Sequence, residues 1–105
     1  MSKIFGINNS VDFQRIMNQN PFLVDVRSDT EFKSGTVSGA KNIPLDSLKD
    51  QLSKFKNKNY IVVFCRSGSR SAMAKMILEK NGISNVINGG SWQNVSEIAK
   101  ELKKQ

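Results

Sequence analysis

The residues best suited to chemistry follow the apolar run Ile61-Val62-Val63-Phe64, where the only cysteine, Cys65, opens the loop Arg66-Ser67-Gly68-Ser69-Arg70. An apolar run, a short loop of glycine, serine and arginine, and an amphipathic segment from Ser69 predict a strand, a loop and a helix. Loop N–H groups, the positive end of a helix dipole and guanidinium groups all lower the pKa of a nearby thiol. Cys65 is therefore a candidate nucleophile.

The composition argues against several other kinds of site. The chain has no histidine and one cysteine, so it lacks the commonest metal ligand, the commonest general base and an internal disulfide. We therefore expect no metal, no cofactor and a reducing compartment. The N-terminal stretch lacks the apolar core of a signal peptide, and no stretch approaches the ~20 apolar residues of a membrane span. These features predict a cytoplasmic protein.

The charge balance bears on the choice of partner. The formal net charge is +7, which favours anionic partners. Many lysines lie among apolar residues spaced three or four apart, as on the solvated faces of helices, and the phenylalanines fall where core residues are expected. Nucleic-acid sites combine a dense basic stripe with exposed aromatic side chains. We therefore expect a small anion as partner, and neither nucleic acid nor a membrane.

Strand and helix patterns alternate from the N-terminus onward. A short strand is predicted at residues 4–7, and Ser10 is expected to cap a helix that ends at Asn20-Pro21. Residues 22–26 are a strand candidate whose apolar side chains, interrupted only by Asp25, are typical of a parallel sheet covered on both faces. The first 26 residues therefore predict two strands and one helix.

The middle of the chain carries a capping signal and an edge-strand signal. Ser28 and Glu31 have capping-box spacing, so a short helix is expected from about Asp29 until Gly35. Residues 39–44 predict a short edge strand, because Pro44 cannot donate to a sheet ladder.

The second half repeats the alternation. A helical pattern over residues 45–55, a strand at residues 60–64 and a helix from Ser69 to about Asn81-Gly82 precede a short strand at Val86-Ile87 and a closing helix. This order predicts a single α/β domain over residues 1–105, with a mainly parallel central sheet flanked by helices on both faces. Ligands of such sheets bind at the carboxyl ends of the strands. Cys65 follows one such end, and Asp25 and Arg27 follow another.

Three motifs follow one another along the chain. The first is Asp25-Val26-Arg27-Ser28-Asp29-Thr30-Glu31-Phe32 with Gly35, Gly39-Ala40 and Asn42-Ile43-Pro44. The second runs from Tyr60 through Cys65 to Ser71, and the third is Asn85-Val86-Ile87-Asn88-Gly89-Gly90 with Trp92. In this order they resemble the opening signature, the active-site strand and loop, and the closing motif of rhodanese-like domains. The resemblance covers most of the chain from Phe22 to Trp92.

The resemblance implies a rhodanese-like fold and a sulfurtransferase activity. The thiolate of Cys65 would attack the sulfane sulfur of thiosulfate or a similar donor, hold it as a persulfide, and pass it to a thiol, to cyanide or to a sulfur-relay protein. Successive N–H groups of residues 66–70 would point at the Cys65 sulfur and stabilise it without a histidine base. The substrate-binding residues that this implies are Arg66, Ser67, Gly68, Ser69 and Arg70.

The other polar residues near predicted strand ends are expected to support the site. Asp25, Arg27 and Glu31 are expected to hold neighbouring loops through hydrogen bonds. Arg66 either contacts the substrate or points to solvent, and Arg70 either binds anions or pairs with Asp25 beneath the loop. Trp92 is expected to pack or to line the pocket rim.

One position departs from the family pattern. Where many rhodanese-like domains have Gly-His-Ile, this chain has Gly35-Thr36-Val37. That histidine is not the nucleophile, so the change affects the expected local packing rather than the sulfur chemistry.

Two other functions remain open at this point. Cysteine phosphatases and arsenate reductases also use a cysteine in an anion-binding loop, but phosphatases follow a C-x5-R spacing, whereas four residues separate Cys65 from Arg70 here. The shorter loop suits a single sulfur atom. The fold can also act as a non-catalytic protein-binding module, in which Cys65 would be idle or a redox sensor.

Overall fold

The computed structural model describes residues 10–104 and is built on four parallel strands in the order β2-β1-β3-β4. The strands are β1 Phe22–Asp25, β2 Lys41–Asn42, β3 Ile61–Cys65 and β4 Val86–Ser91. The helices are α1 Ser10–Met17, α2 Asp29–Lys33, α3 Ser69–Lys80 and α4 Trp92–Lys103, and a 3-10 segment spans Leu45–Phe55. The strand predicted at residues 4–7 lies outside the described residues.

Helices cover both faces of the sheet. One core lies between the sheet and the side that carries α3 and the 3-10 segment, and it contains Leu48, Phe55, Ala74 and Leu78. The other lies against α1 and α4 and contains Phe13, Ile16 and Val95. The predicted α/β fold with helices on both faces is therefore confirmed.

Strand β3 occupies the centre of the sheet because its side chains suit burial on both faces. All five of its residues are buried. Ile61, Val63 and Cys65 point into the α3 side, whereas Val62 and Phe64 point into the α4 side. Alternation along a strand of apolar residues thus places the cysteine in the core that α3 covers.

Two local predictions agree with the structure in detail. Ser28 caps α2, and Ser28 and Glu31 form the complete capping box. Strand β2 is a two-residue edge strand that pairs with β1 alone within residues 10–104. Both features depend on neighbouring residues in sequence, so the pattern was sufficient to predict them.

The region of residues 45–55 differs from a continuous α-helix. It forms a 3-10 segment that is interrupted at Gln51, whose backbone φ of −128° and ψ of 27° are not helical. Leu45, Leu48, Leu52 and Phe55 are spaced by three, four and three residues, and the spacing of three matches the 3-10 repeat. The interruption at Gln51 lets both turns place their leucines against the same core.

Strand β4 is longer than the predicted pair Val86-Ile87 and continues to Ser91. Val63 pairs with Asn88 but Phe64 pairs with Gly90, so Gly89 is an extra residue in a bulge. A Cβ atom on Gly89 would lie 2.7 Å from Val95 Cγ2 and 3.0 Å from Val62 Cγ1. Glycine is therefore required there by the close packing of α4 on the sheet.

Candidate active site

Cys65 lies at the carboxyl end of the central strand, beneath the loop that leads into α3. Its side chain is buried, with 0% exposure. Gly68 adopts a φ of +102° at the N-cap of α3, a conformation that favours glycine. This turn directs the Gly68 N–H to the Cys65 Sγ at 3.0 Å. The loop and the sulfur are therefore arranged as the strand, loop and helix pattern predicted.

The surroundings of Cys65 favour its thiolate. Burial raises the pKa of the thiol, but hydrogen bonding by the Ser71 hydroxyl and by the N–H groups of Ser71, Gly68 and Ser67 outweighs it, so the pKa lies below its ordinary value. The resemblance implied successive N–H groups of residues 66–70. The groups that favour the thiolate here belong to residues 67, 68 and 71, because the helix turns Ser71 back toward the sulfur.

Ser71 and Asn88 belong to this site, although sequence reasoning did not select them. The Ser71 Oγ lies 3.5 Å from the Cys65 Sγ, 3.0 Å from the Gly68 carbonyl oxygen and 2.6 Å from the Asn88 Oδ1. Ser71 is fully buried. The available signal was a serine six residues after the cysteine, on the predicted first turn of the helix. Asn88 carried none, since its position depends on the pairing of β4 with β3.

Arg70 turns its guanidinium toward Glu31 rather than toward Asp25. Its two terminal nitrogens donate to the two carboxylate oxygens at 2.8 and 3.0 Å. The Arg70 guanidinium and the Ser28 N–H lower the pKa of Glu31 to about 2, and the same pair raises the pKa of Arg70. The alternative pairing of Arg70 with Asp25 is wrong, because Arg27 occupies that carboxylate. Glu31 instead links α2 to the helix of the active-site loop.

Asp25 and Arg27 form a buried ion pair at the end of β1. Arg27 donates from Nε and Nη2 to the carboxylate, with the shortest contact at 2.7 Å, and both residues are buried. The Thr36 hydroxyl donates to Asp25 Oδ2 at 2.7 Å, so the threonine at the departure from the family pattern holds this pair. The Trp92 ring packs over the Arg27 guanidinium, with 5.1 Å to the ring centroid. Asp25 and Arg27 thus connect the end of β1 to residues 35–36 and to Trp92 on α4.

The loop presents its other polar groups to solvent. Arg66, Ser67 and Ser69 are exposed, whereas Gly68 and Arg70 are half-buried. Arg66 therefore has a guanidinium at the surface, while that of Arg70 is held by Glu31. No three His, Cys, Asp or Glu side chains of residues 10–104 come together as a metal would need, and none of the helices in that range is long and apolar enough to cross a membrane.

The arrangement is suited to nucleophilic chemistry by a thiolate. The sulfur lies at the end of the central strand, 3.0 Å from the Gly68 nitrogen and 3.5 Å from the Ser71 Oγ, and the loop carries Arg66 and Arg70. Its hydrogen-bond donors favour ionisation of the thiol and so reduce the need for a general base. The loop is short, so its donors converge on one atom.

Comparison with known proteins agrees with this geometry. A family model described as Rhodanese-like domain matches residues 10–97. The thiosulfate sulfurtransferase PspE of Escherichia coli is 35% identical over 70% of this chain and 72% of its own length. The Bacillus subtilis protein YqhL is 36% identical over 63% of this chain, but the match spans about half, 52%, of that relative. A rhodanese-like domain protein from Staphylococcus aureus, solved by crystallography, superposes with a TM-score of 0.69 at 30% identity, over 82% of this chain and 83% of its own. The chain therefore belongs to the rhodanese-like domain family.

Proposed function

We propose that this protein is a sulfurtransferase that takes a sulfane sulfur from thiosulfate or a similar anionic donor and carries it as a persulfide on Cys65. The observation that carries the proposal is the Cys65 sulfur itself, which the Gly68 N–H and the Ser71 hydroxyl approach at 3.0 and 3.5 Å at the end of β3. Family membership and a relative named thiosulfate sulfurtransferase support the same chemistry.

The reaction balances without a redox cofactor. The Cys65 thiolate attacks the outer sulfur of thiosulfate, a new S–S bond forms, the S–S bond of thiosulfate breaks, and sulfite leaves with the electron pair. The outer sulfur now carries the negative charge of the persulfide. A thiolate or cyanide then attacks that sulfur, and the Cys65–sulfur bond breaks with its electrons returning to Cys65. The N–H donors of the loop stabilise the anionic sulfur in both states.

Access to Cys65 requires movement of the loop above it. Cys65 has 0% exposure, whereas Arg66, Ser67 and Ser69 of the covering loop are exposed. Exposed loop segments are the parts of a fold that open at low free-energy cost. The donor therefore enters as this loop shifts, and Arg66, at its surface, attracts the anion first.

The engaged state of Arg70 favours this function over phosphatase or arsenate chemistry. Those reactions require a guanidinium that clasps a tetrahedral oxyanion. Here both terminal nitrogens of Arg70 already donate to Glu31, and only four residues separate it from Cys65. The loop is suited to one sulfur atom rather than to a whole phosphate group.

Intact-mass measurement after incubation with thiosulfate tests the proposal. We expect one added sulfur on the wild-type protein, its loss on treatment with cyanide, and no addition to Cys65→Ser, which is isosteric and keeps the loop. Absence of added sulfur with thiosulfate and with small persulfide donors would contradict the proposal. Hydrolysis of an aryl phosphate that disappears in Cys65→Ser would favour the phosphatase instead. A thiol or relay-protein acceptor and a cytoplasmic location stay predictions.

A further inference from the structure

Asn88 on β4 makes two hydrogen bonds to residues that follow Cys65 and a third within β4. Its Oδ1 accepts from the Ser71 Oγ at 2.6 Å and from the Gly90 N–H at 2.9 Å, and its Nδ2 donates to the Gly68 carbonyl at 3.2 Å. Val86 and Asn88 are two residues apart on β4, so both point to the α3 side of the sheet. The bulge at Gly89 then returns the Gly90 N–H toward the same amide.

The orientation of the Asn88 amide is determined by its partners. The Gly90 backbone N–H can only donate, so it requires an oxygen of Asn88, and the Gly68 carbonyl can only accept, so it requires the nitrogen. The oxygen of Asn88 therefore faces Ser71. At 2.6 Å from that oxygen, the Ser71 hydroxyl must be the donor.

Ser71 has one proton for three neighbours. The Asn88 Oδ1, the Gly68 carbonyl at 3.0 Å and the Cys65 Sγ at 3.5 Å all lie within reach of its Oγ. While Cys65 is a thiol, its S–H can donate to Ser71 and the hydroxyl proton stays on Asn88. Once Cys65 is a thiolate, the sulfur only accepts, so the Ser71 hydroxyl can donate to it only by turning away from Asn88.

We propose that Asn88 is a positioning residue that holds the Ser71 hydroxyl proton while Cys65 is a thiol and releases it to the sulfur when Cys65 is an anion. The inference deepens the proposed function and rests on Cys65 being its nucleophile. Asn88 acts through Ser71, since its amide contacts Ser71, Gly68 and Gly90 and not the sulfur. The Asn88 oxygen thus competes with the anionic sulfur for a single proton.

This competition predicts a change in Cys65 ionisation that loosening of the loop would not produce. Asn88→Ala removes the stronger of the two oxygens that compete with the sulfur for the Ser71 hydroxyl proton, and only the Gly68 carbonyl remains. The Ser71 hydroxyl therefore hydrogen-bonds the thiolate more strongly in the variant. We expect the titration midpoint of Cys65 to fall by about half a pH unit. Simple loss of loop support would weaken the Gly68 N–H contact and raise the midpoint. The two explanations therefore predict opposite signs.

The charged groups around Cys65 stay the same in this comparison. Arg66 lies in the loop, and Arg70 on α3 interacts electrostatically with Cys65 while its guanidinium bonds Glu31 of α2. Asp25 and Arg27 lie at and just beyond the end of β1. None of them contacts Asn88. Their contributions to the ionisation of Cys65 cancel between wild type and variant.

Ultraviolet absorbance of the thiolate, titrated with pH and corrected with Cys65→Ser, measures the midpoint directly because the chain has one cysteine. The four proteins of the test are wild type, Asn88→Ala, Ser71→Ala and the double variant. We expect the downward shift in the wild-type background and no further shift in the Ser71→Ala background. An unchanged or raised midpoint in Asn88→Ala, or an equal shift without Ser71, would overturn the proposal.

A matched control is the asparagine that directly precedes the same strand. Asn85 bonds the Lys58 and Asn59 carbonyls next to the opposite end of β4, so Asn85→Ala should leave the Cys65 midpoint at its wild-type value. The absorbance titration uses no sulfur donor. A failure of thiosulfate loading therefore counts against the proposed function, whereas a failure of the predicted shift counts against the role of Asn88.

Discussion

The pair of Glu31 and Arg70 yields a quantitative prediction about stability. A pKa of about 2 for Glu31, against an ordinary value of 4.5, would correspond to about 3 kcal/mol in a dry site. The side chains of Arg70 and Glu31 are 37% and 32% exposed, so solvent screens the pair and we expect about 1 kcal/mol. Glu31→Gln removes the charge but keeps an oxygen for the capping box with Ser28. Its free energy of unfolding at neutral pH should therefore fall by about 1 kcal/mol.

The pH dependence of this loss follows from the direction of the pKa change. The folded protein lowers the pKa of Glu31, so the stabilisation is complete above the ordinary value of 4.5 and is lost as the pH falls toward about 2. Urea unfolding of wild type and Glu31→Gln at a series of pH values measures the difference. The free energies of unfolding of the two proteins should differ at neutral pH and become equal as the pH falls to about 2.

The control for this experiment is Glu31→Ala, which removes both the charge and the hydrogen bond from the Ser28 N–H to the Glu31 side chain. It should lose more stability than Glu31→Gln, by an additional amount of about 0.5–1 kcal/mol. Equal stability of wild type and Glu31→Gln at neutral pH would refute the argument, since it would mean that the ion pair contributes nothing. A loss that stays constant down to acidic pH would refute its electrostatic origin.

Three further predictions concern other parts of the molecule. Asp25→Asn leaves Arg27 buried without its anion, so the free energy of unfolding measured in urea should fall by about 3 kcal/mol. A fall of less than about 1 kcal/mol would contradict a stabilising buried ion pair. Gly89→Ala should lower the free energy of unfolding by about 2 kcal/mol, because the new Cβ would lie 2.7 Å from Val95 Cγ2. Shortening that neighbour with Val95→Ala should recover part of the loss. A double variant whose loss of stability equals the sum of the two single losses would argue against the clash. Arg66→Ala should raise the KM for thiosulfate several-fold at low ionic strength and by a smaller factor at high salt, because salt screens exposed charges. An equal increase in KM at all ionic strengths would exclude long-range attraction of the anion by Arg66.

The features that the sequence predicted are those that depend on neighbours along the chain. Burial of β3 follows from an uninterrupted apolar run, the cap of α2 from Ser28 and Glu31, and the end of β2 from Pro44. The position of Cys65 at a strand end, before a glycine with positive φ and a helix, is equally local. Local spacing controls backbone geometry directly, so these features needed no tertiary information.

The features that were missed depend on which elements become neighbours in space. Arg70 and Glu31 are 39 residues apart, and Ser71 and Asn88 are 17 apart. Their contacts exist because β1, β3 and β4 lie side by side and end at the same edge of the sheet. Spacing along the chain carries no information about such pairs. The sequence therefore leaves the partner of Arg70 open between an anion and Asp25, and it assigns no role to Asn88.

The sequence by itself predicted the fold class, since alternating strand and helix patterns favour a parallel sheet covered on both faces. Its three motifs indicated the family, and the loop after β3 indicated Cys65 as the candidate nucleophile. The tertiary structure alone decided what surrounds that sulfur. It engaged Arg70 with Glu31, and it placed Asn88 beside Ser71 by pairing β4 with β3. Hydrogen-bond partners across a sheet are set by strand order and register, and these are settled only when the whole core packs.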